Sequence, residues 1–231
     1  MIDIHTHILP LVDDGAKSFE TAIQMIEKEI NDGVKTIFLT PHYVKNTDFD
    51  IDLEIINKTF EELKEKVKEL ELDIELILGR EVYFRDNLEY DLYTLNNSKY
   101  ILVEFPMKSY FDIEEAVYNL KVSGYKPIIA HIERYDYIKC VEDVKKIKDL
   151  GALIQVNSLS ILGGYGRKIK KLVMKMMKND LVNFVASDSH NDTKRVPNLK
   201  ETYNFVCKKF GEEYANKIFI TNQQKLVDRI K

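Results

Sequence analysis

Met1-Ile2-Asp3-Ile4-His5-Thr6-His7 opens the chain, and its reading decides how the rest is read. Met1, Ile2 and Ile4 make a short apolar run of strand type. On a strand, side chains two positions apart leave the same face, so His5 and His7 point one way and Thr6 the other. Two imidazoles about 6–7 Å apart along a strand can converge on one cation. After a short loop, Asp13-Asp14-Gly15 can return a carboxylate to the same place. A pair of packed, hydrogen-bonded core histidines is the plainer reading. His-x-His at a strand end, followed by an acidic turn, favours a metal site over it.

Working outward, apolar β-type runs recur at 36–40, 74–78, 100–103, 127–130, 153–156 and 181–186. Between them fall helical patterns at 18–32, capped by Ser18 and stopped by Gly33, and at 52–70, 114–123 and 141–150. A short helical or irregular segment is expected over 87–95, and a glycine-rich loop at 162–166 precedes a helix through about 178. Two helices, 199–210 and 223–230, close the chain. Strand-helix alternation with short connections implies parallel strands joined by right-handed crossovers, buried on both faces. A doubly wound sheet and a barrel both fit. The glycine fingerprint of a dinucleotide-binding fold does not follow the first strand, which lowers the former.

With 231 residues the chain fits one large domain. Lys+Arg 34 against Asp+Glu 38 gives a net charge of −4, which argues against a general nucleic-acid binder. Two cysteines, Cys140 and Cys207, form neither a zinc pattern nor a disulfide framework, and a reduced cytoplasmic protein is expected. No apolar run approaches the roughly 18 residues of a membrane span, and the start carries no signal-peptide pattern.

The five histidines are His5, His7, His42, His131 and His190, each at or just past the carboxyl end of an expected strand. Glu81, Glu104 and Asp188 hold the same position on three other strand ends. That rim holds the active site in α/β barrels. Carboxylates directly after apolar strand residues need a cation or hydrogen bonds when buried. Five imidazoles with several carboxylates suit two or three divalent ions, with Glu81 as a bridge, and a thiolate-free set suits manganese, iron or zinc. Such ions can activate a water and hold a phosphate oxygen for in-line attack. Arg134 and Arg195 follow His131 and His190 closely, and each guanidinium is a fork for phosphate oxygens. Pairing with a structural carboxylate such as Glu133 or Asp192 is the plainer role for each.

Taken together, His5-Thr6-His7, Pro41-His42, Glu81, Glu104, His131-Ile132-Glu133-Arg134 and Ser187-Asp188-Ser189-His190 resemble the polymerase and histidinol phosphatase (PHP) family. The opening motif with Val12-Asp13-Asp14-Gly15, and also Val103-Glu104-Phe105 and Gln155-Val156-Asn157-Ser158, look like its bacterial protein-tyrosine phosphatases of capsule and exopolysaccharide loci. The resemblance runs from Met1 to about Ile230 with the blocks in order. It implies an α/β, distorted TIM-like (β/α)7 barrel, a single PHP-type domain over 1–231, with three ions, manganese favoured. One ion would take His5, His7, Glu81 and Asp188. A second would share Glu81 and add Glu104 and His131. A third would use His42, His190 and a carboxylate from Asp13-Asp14, with Asp14 favoured. Arg134 and Arg195 would hold the phosphate, and a metal-bound hydroxide would be the nucleophile. Other PHP proteins often carry histidine where Asp14 and Glu104 stand.

The implied substrate is the tyrosine-phosphorylated tail of a bacterial tyrosine kinase, whose dephosphorylation tunes polysaccharide synthesis, with at most peripheral membrane contact through the kinase. The basic stretch Arg167-Lys168, Lys170-Lys171, Lys175, Lys178 reads first as a solvated helix face and second as a contact for an acidic tail or anionic lipid. The rivals are a small-molecule phosphatase of the histidinol phosphate type and a non-catalytic kinase-binding scaffold. A nuclease would need a nucleic-acid groove that the balanced charge does not support, and an amidohydrolase often bridges its metals with a carboxylated lysine where Glu81 stands here. A cysteine-dependent phosphatase needs arginine six residues after its nucleophile. Lys146 stands there after Cys140, and Cys207 leads into Lys208-Lys209-Phe210-Gly211.

Overall fold

The computed structural model describes residues 1–86 and 88–230. Asn87, where the irregular segment was expected to begin, and Lys231 lie outside the described residues. The strands are β1 (Ile2–Thr6), β2 (Thr36–Leu39), β3 (His42–Tyr43), β4 (Glu75–Leu78), β5 (Glu81–Tyr83), β6 (Tyr100–Glu104), β7 (Lys126–Ile129), β8 (Leu153–Asn157) and β9 (Phe184–Ala186). All are paired in parallel, in the orders β1-β2-β4 and β3-β5-β6-β7-β8-β9. Two of the expected strands are broken. Thr40-Pro41 interrupts the second and Gly79-Arg80 the third, and each resumes as a short segment, with His42 opposite Glu81. Proline cannot donate to a ladder, so a break at Pro41 follows from its chemistry.

The ring closes where the segment after β9 returns to β1. Thr6 bridges Ser189, Asp188 N–H donates to His5 O at 2.9 Å and His7 N–H donates to Ser189 O at 2.9 Å. The product is a distorted (β/α)7 barrel in one domain, with the breaks as the distortion. The strand expected over 181–186 shortens to Phe184–Ala186 because Asn183 instead pairs with the Ile154 backbone at 2.9 Å in both directions.

Helices α1 (Phe19–Asn31), α2 (Leu53–Glu69), α3 (Ile113–Val122), α4 (Val141–Asp149), α5 (Ser158–Leu162), α6 (Arg167–Lys178), α7 (Leu199–Phe210), α8 (Glu212–Asn216) and α9 (Asn222–Ile230) complete the fold. Ser18, Asp52 and Asp112 cap α1, α2 and α3 by accepting from backbone N–H groups of the first turn. The segment before β6 forms two 3-10 turns, Tyr90–Tyr93 and Leu95–Asn97. Inside the barrel, Ile2, Ile4, Phe38, Leu102, Ile128 and Ala186 meet Leu226, Val227 and Ile230, so α9 seals the amino end. The outer strand faces pack on the helices in a second, larger core. No helix among the described residues is long and apolar enough to cross a membrane.

Candidate metal centre

The two histidines of the opening motif face the barrel interior through an irregularity in β1. Its pairing with β2 shifts by one residue between Asp3 and Thr6. Ile4 joins the interior core, and His5, the very next residue, also faces inward, which strict alternation forbids and a bulge permits. Their Nε2 atoms lie 3.3 Å apart, and each is 3.2 Å from Glu81 Oε2.

Glu81 is the centre of the cluster. Its Oε2 lies 3.0 Å from His42 Nδ1, and its Oε1 lies 2.8 Å from His131 Nε2. Glu104 reaches the same group, 3.6 Å from His131 Nε2 and 3.9 Å from His42 Nδ1. Asp188 turns Oδ1 to His7 and His190, both at 3.5 Å, and to His5 at 3.7 Å. Asp14 Oδ1 stands 3.4 Å from His190 Nε2 and 3.6 Å from His42 Nε2. All nine candidate ligands therefore come together on one rim. Donor atoms fall into three sets spanning less than 4.8 Å: His7, Asp14, His42 and His190; His5, His7 and Glu81; His42, Glu81 and Glu104. His7 and His42 each belong to two of these sets, a sharing that the expected assignment did not contain.

Asp13 and Asp14 part company. The Asp13 carboxylate is buried, accepts from His7 Nδ1 at 2.6 Å and takes the backbone N–H groups of Gly15 at 2.8 Å and His42 at 3.0 Å. It fixes the His7 tautomer and leaves Nε2 for an ion, as metal-ligating histidines require. Asp14, half exposed, faces the donors directly. The turn fits only with glycine at 15, since a Cβ there would stand 2.0 Å from His7 O.

Two ligands sit on strained backbone. His131 has φ +31° and Asp188 φ +53°, both at positive φ, which few residues other than glycine adopt and which histidine and aspartate enter more readily than most. Polar groups hold them there. Gln155 Oε1 accepts from His131 N–H at 2.7 Å and lies 3.2 Å from His5 Nδ1. Gln155 Nε2 donates to Asn157 Oδ1 at 2.9 Å, and Asn157 Nδ2 donates to Asp188 Oδ2 at 2.6 Å. Arg80 donates to His42 O at 2.6 Å and Pro41 O at 3.2 Å, holding the break between β2 and β3. Sequence reading assigned no role to Gln155, Asn157 or Arg80. Their signal was polarity inside otherwise apolar strands or at a strand break.

Charge is concentrated and opposed. Burial raises carboxyl pKa values, yet His5, His42 and His131 hold Glu81 well below the usual range, and His5, His7 and Arg195 do the same for Asp188. Burial and the Glu81 charge push Glu104 up to about 8. Burial would lower His7, but Asp13, Asp188 and Glu81 raise it well above an ordinary histidine. Burial and the neighbouring His7 bring His190 down to about 4. Glu81 Oε2, His42 Nδ1, His131 Nδ1 and His190 Nε2 are buried and, close as some lie to a neighbour, none makes a hydrogen bond of acceptable direction among the described residues. Orphaned acceptors and imidazole nitrogens at these separations fit divalent cations, which would neutralise the carboxylates and give the nitrogens a partner.

Arg134 Nη1 and Arg195 Nη2 both reach Asp188 Oδ2, at 3.3 and 2.7 Å, rather than Glu133 or Asp192. Tyr165 stacks on the Arg134 guanidinium, 4.7 Å from ring centroid to Cζ. Arg195 closes a loop in which His190 N–H donates to Arg195 O at 2.9 Å.

A parallel barrel with this donor set on its carboxyl-end rim defines a protein that binds divalent metal where barrel enzymes do their chemistry. More particularly, the chain belongs to the capsular polysaccharide synthesis family CpsB/CapC, whose model matches residues 1–228. It is 37% identical to the tyrosine-protein phosphatase CpsB of Streptococcus agalactiae over 98% of both chains. It is 33% identical to the tyrosine-protein phosphatase YwqE of Bacillus subtilis, over 92% of this chain and 86% of that one. Among solved structures, one from work on YwqE of Bacillus subtilis and CpsB of Streptococcus pneumoniae, metal-dependent tyrosine phosphatases, matches with a TM-score of 0.85 and 31% identity, over 93% of this chain and 90% of that one.

Proposed function

We propose that residues 1–231 form one phosphatase domain that hydrolyses phosphotyrosine on a bacterial tyrosine kinase acting in capsule or exopolysaccharide synthesis. Three divalent ions, manganese preferred, would be held by His5, His7, Asp14, His42, Glu81, Glu104, His131, Asp188 and His190. The observation that carries this reading is the two-sidedness of Asp188. One oxygen faces three imidazoles and the other faces Arg134, Arg195 and Asn157. A phosphoryl group gripped by the arginines is thereby set against the metal-binding donors. Ions bound there supply Lewis acidity, acidifying water and offsetting phosphate charge. Arg134 and Arg195 orient the phosphoryl oxygens and stabilise the charge they gain in an in-line displacement. Cys140 lies at the start of α4 and Cys207 on α7, outside the cluster, so neither serves as a nucleophile.

Metal analysis, joined to hydrolysis of a tyrosine-phosphorylated peptide and of histidinol phosphate, tests the reading. At least two divalent ions per chain are expected, with peptide preferred, chelators inhibitory and a C140S/C207S double variant close to wild type. A chiral phosphate ester should react with inversion at phosphorus. Retention of configuration, or metal content below one ion per chain with no gain on adding manganese, would overturn the proposal.

A further inference from the structure

Beside the metal centre runs a second, unassigned cavity of about 350 Å³, between the segment after β7 and helix α6. Arg134 and Tyr165 line it, and Arg134 also reaches Asp188 Oδ2 at 3.3 Å, so one guanidinium borders both the cavity and the centre. Ile138, Ile169 and Leu172 line it with apolar surface, while Lys139, Lys168, Lys171 and Lys175 line it with ammonium groups.

The spacing explains this placement. Positions 168, 171 and 175 of α6 share one helix face, since residues three and four apart are neighbours. The opposite face buries Val173, Met176 and Met177 in the core. Sequence reading took the whole basic stretch first as a solvated face. The structure divides it, and the three lysines form a wall of the groove. All three are exposed, and none makes an ion pair within 4 Å among the described residues. Of the two lining carboxylates, Glu133 is buried and occupied by Asn157 N–H at 2.9 Å and Ser160 Oγ at 2.5 Å. Asp136, the other, is exposed, and the exposed Glu142 next to the groove feels the charge of Lys175, so two carboxylates stand against four ammonium groups. A strip of like charge over apolar surface favours an anionic partner with an apolar component.

We infer that this groove docks the acidic segment flanking the phosphotyrosine of a peptide substrate, with Arg134 as the joint between phosphate site and docking site. This inference rests on the phosphatase reading above. Carboxylate side chains would face Lys168, Lys171 and Lys175, and an apolar residue would rest on Ile169 and Leu172. The footprint is local, which fits an extended peptide leaving the phosphate site.

The test compares three substrates: a phosphotyrosyl peptide with acidic flanks, the same peptide with alanine flanks, and free phosphotyrosine. For the wild-type metal-loaded enzyme, kcat/KM should be about tenfold higher for the acidic than for the alanine peptide at low salt. The advantage should shrink as salt is raised. In the K168A/K171A/K175A variant the advantage should fall to within about twofold, through KM, with free phosphotyrosine turned over as in wild type. Equal kcat/KM for the two peptides in wild type would overturn the docking inference while leaving the phosphatase reading intact. Absence of turnover on all three substrates would instead sink the phosphatase reading and the inference with it. Vesicles of phosphatidylglycerol with phosphatidylethanolamine provide the competing occupant. Binding to them that the triple variant loses, with no peptide discrimination, would reassign the groove to a membrane surface.

Discussion

At the scale of single residues the site separates candidate metal ligands from the groups that position them. Arg134→Ala or Arg195→Ala removes one fork from Asp188 Oδ2 and from the proposed phosphate. Loss of a charge-assisted donor to a developing charge costs on the order of 10²–10³ in rate. We expect kcat/KM to drop by that amount with metal content near wild type. Joint loss of metal and activity would show that the arginines serve as supports for Asp188. Asp13→Asn should act in the opposite way. It keeps the shape but removes the charge that holds His7 Nδ1 at 2.6 Å. Metal affinity should fall about 10–100-fold, and activity should recover at high manganese. Titration of metal into the variant, followed by calorimetry and by turnover, checks both halves.

At the scale of elements, α1 sets a buried carboxyl against β1. Glu29 and Asp3 are both fully buried. Asp3 accepts from His5 N–H and, with both oxygens, from Ser187 N–H, each at 3.2 Å, tying β1 to the end of β9. Burial and the Asp3 charge raise Glu29 well above its ordinary 4.5. A raised acid pKa means that the folded chain keeps a proton which the unfolded chain releases above about 4.5. Stability from this group is therefore complete below that value and declines as pH rises toward the folded pKa, by up to about 1.4 kcal/mol per pH unit. Glu29→Gln keeps the shape without the titration. Its melting temperature should exceed wild type at pH 8, and the difference should close toward pH 5. A constant offset at all pH values would remove Glu29 as the cause.

The same scale shows what could be read in advance. Helices α1, α2 and α7 and most strands were legible, because periodicity, caps and apolar runs are local properties. Eight of the nine candidate ligands were legible as strand-end histidines and carboxylates, because a parallel barrel gathers strand ends; Asp14 lies instead in the turn after β1. The breaks that give β3 and β5 were not, since two or three residues carry no periodicity. Nor was the register shift in β1, which exists only against β2. Short α8 and the π turn Lys217–Thr221 are set by docking rather than by pattern. Asp13 and Asp14 could not be told apart by type. Only the turn, closed by Gly15 against His7, assigns one inward to the imidazole and the other to the donors.

At the scale of the whole molecule, every strand position around the barrel except β8 supplies a candidate ligand, and β8 supplies Gln155 and Asn157 beneath them. Metal held by these residues would tie the strand ends together, so metal binding and ring closure should be linked. Ions that bind only the folded chain add stability as RT ln(1 + [L]/Kd), about 2.7 kcal/mol at a hundredfold excess over Kd. Thermal unfolding should shift upward with manganese and downward with chelator, by a few degrees for a domain of this size. His131→Ala should shrink that response. An unchanged melting temperature across metal concentrations would deny the linkage.

Closure at β1 also has a consequence for biosynthesis. The bonds between Asp3 and Ser187 join residues 184 positions apart. A ribosome adding 5–20 residues per second needs roughly 10–40 s to lay down the intervening chain. Strand β1 emerges well before the segment that closes the ring and must wait, one edge unpaired, until residues 187–189 have cleared the exit tunnel. Open strand edges recruit other chains, so the nascent protein is most exposed to misassembly in the interval before its final strand arrives. The fully polar, metal-seeking end of that waiting strand, His5-Thr6-His7, is a poor template for apolar aggregation.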